Sequence, residues 1–365
     1  MRERAKRSFW TWTIGRVKGI AIRVHLTLIL LLGWIAFSYA TAGAGARGTA
    51  LGLFLVLCVF MAILVHELGH ALVAGYFGYR TRDILLLPIG GIASLEHMPE
   101  KPSQEFAVAV VGPAINVVIA GLLWLGITAT GGTTDLYRQA TAAGSVAAQL
   151  FWINLGLAAF NMLPAFPMDG GRALRALLAI KLGRVRATNI AGALGRVFAV
   201  AIGLFGFFYN PLLLLIAFVV WIGASHERTV VQMKSALHGV PVSAAMLRRI
   251  DTVTPDQPIE EAAALLMSGG QNELPVIDHG EPVGVLTRSD VASALAHAGP
   301  EATVATAPKH EVVTVAPSDP LDEVLERLQS SPDAVAIVVD HGQPVGLVTP
   351  ERLANYLALH SNRAV

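Results

Sequence analysis

The stretch ILVHELGHALVAG, Ile63 to Gly75, sets His66, Glu67 and His70 inside a run that otherwise suits a lipid environment. The run extends from Leu51 to Tyr76, longer than the roughly 20 residues that cross a bilayer. An ionisable group at the centre of a spanning helix costs on the order of 2.5–3.5 kcal/mol, so three of them within two turns need a shared partner. A spacing of four puts His66 and His70 on one helical face, one turn apart, where both imidazoles can reach a single ion. Glu67 stands beside them, placed to take a proton from a water and to return it elsewhere.

Five more apolar runs flank this one: Val24 to Ala42, Phe106 to Thr130, Val146 to Pro164, Ile190 to Phe208 and Pro211 to Ala224, the last of them short. Together they predict a polytopic α-helical membrane domain over residues 24–225, with six transmembrane helices. The net charge of +1 hides a strong asymmetry. Arg2, Arg4, Lys6, Arg7, Arg16, Lys18 and Arg23 precede the first run, and Arg172, Arg175, Lys181, Arg184 and Arg186 lie between the fourth and fifth. The positive-inside rule then places the basic segment 1–23 and the carboxy-terminal third in the cytoplasm of a multi-pass cell-membrane protein. The first run lacks a small-residue cleavage site and is expected to stay as an anchor. Cys58 is the single cysteine, which excludes a disulfide framework or a cysteine-built zinc site within one chain. No nucleic-acid partner is expected.

A catalytic zinc usually has three protein ligands and one open position. Glu96 lies a few tens of residues beyond the HELGH motif, in the irregular stretch ASLEHMPEKP. The stronger candidate is Asp169 in NMLPAFPMDGGR, Asn161 to Arg172, where Pro164 and Pro167 break the fourth run and Gly170 and Gly171 permit close backbone approach. By the topology above, His66 and Asp169 lie at matching depth in the cytoplasmic half of the membrane. His25 opens the first run and is within reach of that depth; His97, His226 and His238 show no ligand spacing.

HELGH and NMLPAFPMDGG together resemble the site-2 protease family of intramembrane zinc metalloproteases, over about Arg23 to Ala224. The resemblance implies one Zn2+ per chain on His66, His70 and Asp169, Glu67 as general base and acid, and Asn161 holding a substrate backbone. It further implies cleavage of a peptide bond in or beside the transmembrane segment of a membrane-anchored protein, in regulated intramembrane proteolysis. ILLLPIGGIASLE, Ile84 to Glu96, is too short to span and carries Pro88, Gly90 and Gly91. It is expected to form a re-entrant β element whose edge pairs with an extended substrate. VGPAIN places Asn116 inside the bundle in support of the catalytic helices. The loop Gly131 to Gly144 is too short for an inserted filtering domain.

After a linker at 226–240 the chain repeats itself. TVTPDQPIEEA at Thr252 returns as TVAPSDPLDEV at Thr314, and VIDHGEPVGVLT at Val276 returns as VVDHGQPVGLVT at Val338. Repeats 241–298 and 303–360 resemble a tandem pair of CBS domains, an α/β module that often binds adenine nucleotides, and the pair suits the bacterial and archaeal branch of the protease family. GVLTRSD of the first repeat has the nucleotide pattern, with Thr287 for a phosphate and Asp290 for ribose hydroxyls. GLVTPER of the second has Arg352 where the acid belongs. A dimerisation or docking module without nucleotide is the competing expectation, and because CBS pairs commonly stack in twos a homodimer through these domains is expected. Two rival functions share the same architecture: a CBS-gated ion channel or transporter, and a catalytically inactive membrane sensor. Glu67 disfavours the first, since ion binding does not need it, and the complete residue set disfavours the second.

Overall fold

The computed structural model describes residues 10–95, 99, 101–130, 145–268, 271–310, 312–329 and 335–360. Glu96, His97 and the loop 131–144 lie outside them, as does the start of the basic amino-terminal segment. The chain divides into two compact units, Met1–Thr229 and Val230–Val365.

Among the described residues the first unit begins with a β-hairpin. Strands β1 (Thr11–Val17) and β2 (Ile20–His25) pair antiparallel across Lys18 and Gly19, both at positive φ. His25 then caps helix α1 (Leu26–Thr41), its Nδ1 accepting from the Thr27 amide, so the histidine that opens the first apolar run serves the helix end. Helix α2 (Gly45–Tyr76) carries HELGH and returns the chain to β3 (Thr81–Leu87), which pairs parallel with β2. The α1–α2 crossover is what a parallel pair requires. Strand β4 (Gly90–Leu95) turns back antiparallel on β3 and completes a sheet in the order β1-β2-β3-β4, leaving β4 at an edge. Five helices follow: α3 (Pro102–Ala129), α4 (Val146–Asn161), α5 (Asp169–Leu182), α6 (Arg184–Tyr209) and α7 (Leu212–Leu237).

Among the described residues four helices, α2, α3, α6 and α7, are long and apolar enough to cross a membrane. The expected first and fourth spans are shorter helices, 16 residues each. At 1.5 Å per residue they reach about 24 Å, against about 30 Å of hydrocarbon. The apolar runs are longer than these two helices, because Val24 belongs to a strand and Met162 to Pro164 are no longer helical. The unit is apolar outside and polar within: Trp34, Leu57, Leu122 and Phe207 are exposed, while His66, His70, Glu105, Asn116, Asn154 and Arg175 are buried. A water-soluble domain shows the reverse, and this distribution suits lipid.

In the second unit, α8 (Ile259–Ser268), β5 (Glu273–Asp278), β6 (Glu281–Thr287) and α9 (Arg288–Ala298) form the first repeat. The second is built from β7 (Val312–Val315), α10 (Leu321–Gln329), β8 (Val335–Asp340), β9 (Gln343–Val348) and α11 (Pro350–His360). The repeated DHG turns match in geometry as in sequence, with His279, Gly280, His341 and Gly342 all at positive φ, the pattern of a type I′ hairpin. The lead-in segments are exchanged. Leu237, Val242 and Ala245 pack with Val315, Leu321 and Val338 of the second repeat, whereas Val304 and Ala307 pack with Val253, Ile259 and Leu274 of the first. The bridges Leu247 to Leu347 and Val285 to His310 fix the same exchange in the sheets. The segment expected as a linker is helical through Leu237. Hydropathy falls at His226 to Arg228, but no residue breaks the helix before Gly239, at φ 74°.

Candidate metal centre

Helix α2 presents His66 and His70 on its inner face, and α5 presents Asp169 in its first turn. Their ligand atoms form a nearly equilateral triangle: His66 Nε2 to His70 Nε2 is 3.1 Å, and Asp169 Oδ2 is 3.2 Å from each. Among the described residues this is the one cluster of three such groups.

The other ring nitrogens are engaged. His70 Nδ1 donates to the Val108 carbonyl at 2.7 Å, and His66 Nδ1 donates to Asn116 Oδ1 at 2.5 Å. Because both partners are oxygens that accept, each ring carries its proton on Nδ1 and turns a bare Nε2 inward. Two nitrogen lone pairs and a carboxylate oxygen thus converge with no hydrogen between them, an arrangement that repels itself unless a cation is shared. Tetrahedral zinc with bonds of about 2.0–2.1 Å would hold its ligand atoms about 3.3 Å apart. The donor set and its spacing fit that ion.

Helix α3 is the template for both histidines. Glu105, Val108, Gly112 and Asn116 recur at helical spacing on its buried face. Gly112 has no side chain for a reason: a Cβ there would collide with both rings, standing 2.7 Å from His66 Cε1. Gly69 on α2 opens the matching space for Ile115.

Asp169 is fixed by a non-helical segment between α4 and α5. A Cβ at Gly170 or Gly171 would strike the backbone of Met162, Leu163 or Ala165, so the pair of glycines lets the chain fold directly onto itself. Gly195 of α6 and Gly223 of α7 make room for Phe166 and Pro167 in the same way. Arg175, one turn and a half beyond Asp169, stacks its guanidinium over the Phe166 ring at 4.9 Å. It donates to Glu105 through Nε at 2.6 Å and Nη2 at 2.5 Å, and to Glu227 through Nη1 at 2.7 Å. A fully buried cation is sustained here by two carboxylates and an aromatic face. Arg175, one of the basic residues between the fourth and fifth apolar runs, is 1% exposed and ties α3, α5 and α7 together.

Glu67 is half-buried and packs beneath β4: a Cβ on Gly91 would lie 2.6 Å from Glu67 Cγ. Gly90, at φ 139°, opens that edge strand. Asn161 ends α4 half-buried, with no side-chain hydrogen bond to the described residues. Asn154, one of two buried asparagines in the bundle, was overlooked in the sequence; an amide in the middle of an apolar run is the signal that marks it. The alternative ligand Glu96 lies outside the described residues.

In the second unit Thr287 and Asp290 form a capping box at α9. Asp290 Oδ2 accepts from the Thr287 amide at 2.8 Å and from His310 Nε2 at 2.9 Å. A cavity of about 150 Å³ lies at the second repeat's motif, lined by Gln271, Glu273, Thr349, Glu351, Arg352 and Asn355. Burial, with the Glu351 carboxylate beside it, pushes the Glu273 carboxyl above its ordinary value of 4.5.

The chain matches the model of peptidase family M50 over residues 54–142 and 127–205, and that of the CBS domain over 242–297 and 304–359. A zinc metalloprotease of Methanocaldococcus jannaschii is 30% identical to it, over 92% of both chains. Rip3 of Mycobacterium tuberculosis is also 30% identical, over 95% of this chain and 93% of its own. Among solved structures, a site-2 protease from Methanocaldococcus jannaschii covers 60% of this chain and 95% of its own at 33% identity, with a TM-score of 0.45.

Gly112→Ala is expected to weaken zinc binding by at least about tenfold, while Gly121→Ala on the same helix, where no atom lies within 4 Å, leaves it unchanged. Zinc retained per chain under chelator competition checks this. Glu273 binds its proton more tightly folded than unfolded, so its contribution to stability is most favourable below pH 4.5 and declines as pH rises through the folded value. Glu273→Gln is therefore expected to raise the melting transition of the second unit at neutral pH and to lose that advantage in acid, as read by calorimetry on the full-length protein.

Proposed function

The chain belongs to peptidase family M50, and on that premise we propose that it hydrolyses a peptide bond within or beside the transmembrane segment of a membrane-anchored protein. The observation that carries this reading is the convergence of three bare acceptor atoms, with the Glu67 carboxyl on the same helix, inside an apolar-faced bundle.

His66, His70 and Asp169 hold Zn2+, one per chain. When bound, zinc supplies Lewis acidity toward the scissile carbonyl and the attacking water. Glu67 takes the proton that this water loses as its oxygen bonds to the carbonyl carbon. The same carboxyl then gives a proton to the amide nitrogen as the carbon–nitrogen bond breaks, so it is returned unprotonated. The free edge of β4, with Gly90 and Gly91, pairs with the substrate in extended form. Asn161 adds an amide to that backbone. A helical substrate hides its peptide bonds in its own hydrogen bonds, so a strand edge next to the proton carrier explains how one bond is presented.

All six apolar helices of the first unit cross the membrane in this reading. Helix α4 is completed by the irregular segment through Met168, whose Ala165, Phe166 and Met168 are buried in protein as non-helical backbone at that depth must be. The β3–β4 hairpin is re-entrant, with Ile89 and Ile92 exposed along it. Both termini are cytoplasmic. The CBS pair modulates cleavage through an adenine nucleotide and associates with a second copy. Supporting the nucleotide is the GVLTRSD pattern, and Asp290 would release His310 to take a ribose.

Glu67→Gln is expected to lower cleavage of a co-expressed membrane-helix substrate by at least about 10²-fold with zinc still bound. Asp169→Ala is expected to lose both. Metal analysis and cleavage scored in the same detergent preparations decide it: wild-type turnover by the Glu67 variant would remove the proton-transfer role.

A further inference from the structure

Nothing in a side-chain amide makes one end face a histidine rather than the other. If Asn116 turned its NH2 toward His66, the ring would have to accept at Nδ1 and carry its proton at Nε2, where the metal belongs. The orientation is fixed further out. Asn154 Nδ2 donates to the Leu150 carbonyl at 2.9 Å, one turn back on α4. A backbone carbonyl only accepts, so this bond leaves Asn154 Oδ1 pointing away. Asn116 Nδ2 donates to that oxygen at 3.0 Å, which leaves Asn116 Oδ1 for His66 Nδ1. Asn154 and Asn116 are 1% and 0% exposed, so water does not substitute for either amide.

We propose that Asn154 is a positioning residue that, acting through Asn116, sets the direction of this hydrogen-bond chain and so keeps the Nε2 lone pair of His66 available to the metal. Asn154 lies on α4 and hydrogen-bonds to Asn116 and Leu150 rather than to a ligand. It passes the fixed polarity of one backbone carbonyl across α3 to α2. His70 needs no such relay, because its Nδ1 meets the Val108 carbonyl directly. The inference rests on His66 being a zinc ligand, as proposed above.

The test is zinc affinity of the full-length detergent-purified protein, measured by competition with a chromophoric chelator, in wild type, His66→Ala, Asn154→Leu, Asn116→Asp and the double variant Asn116→Asp/Asn154→Leu. Asn154→Leu lets the Asn116 amide turn over and is expected to weaken zinc by about 10–100-fold. An aspartate at 116 offers His66 an accepting oxygen whichever way it turns, so the double variant is expected to bind within a few fold of Asn116→Asp alone. Wild-type affinity in Asn154→Leu overturns the relay, and a loss that Asn116→Asp does not rescue makes Asn154 a packing residue only. Should Asn154→Leu fail to fold, Asn154→Ala removes the amide without added bulk and gives the same comparison. His66→Ala binding as wild type does would instead overturn the ligand assignment itself, and the relay with it.

Discussion

Three acceptor atoms held 3.1–3.2 Å apart in an apolar bundle are the constraint on which the rest of the first unit depends. Like partial charges at that separation push apart, and the surroundings offer little water to screen them. The protein fixes their positions through the elements packed around them. It does so with α3, whose single face supplies a carbonyl for one histidine, an amide for the other, a gap at Gly112 for both rings and Glu105 for Arg175. The third ligand arrives on a different helix, clamped by the Arg175 ion cluster and by glycines that allow backbone-to-backbone contact. Ligand geometry is thereby tied to packing on three separate helices.

That clamp is of a kind that stabilises little and specifies much. Replacing a buried ion cluster by well-packed apolar residues is often neutral in stability, whereas removing one partner strands the others at a cost of several kcal/mol. Glu105, Arg175 and Glu227 therefore fix how α3, α5 and α7 meet, in surroundings where apolar side chains alone discriminate poorly between one helix rotation and another.

The histidine pair and its glutamate were legible in the sequence because period 3.6 is a property of the helix itself, and an apolar run makes polar exceptions visible. Asp169 was legible through its breakers, Pro164, Pro167, Gly170 and Gly171, whose glycines prove to be sites of backbone contact. What the sequence hid was pairing between distant residues that carries no local motif. Strands β1 and β2 lie in a segment whose charges suggested only a cytoplasmic flank; pairing with β3, some 60 residues on, makes them a sheet. Arg175 looked like one more interfacial cation, since nothing local reveals Glu105 and Glu227. Asn154 drew no reading, because its partner belongs to another helix. Hydropathy also misjudged lengths: α7 outruns its apolar run, as charge ends a hydrophobic stretch without ending a helix.

The exchanged lead-ins of the second unit have a consequence for how such a protein can change over time. Each repeat is completed by a segment that precedes the other, Leu237, Val242 and Ala245 for one and Val304 and Ala307 for its twin. A deletion that removed a single repeat would strip a wall from the survivor's core, so half a pair is not a smaller module but a broken one. The pair therefore stands or falls as one folded body, even though its two motifs differ in chemistry, with Asp290 in one and Arg352 in the other.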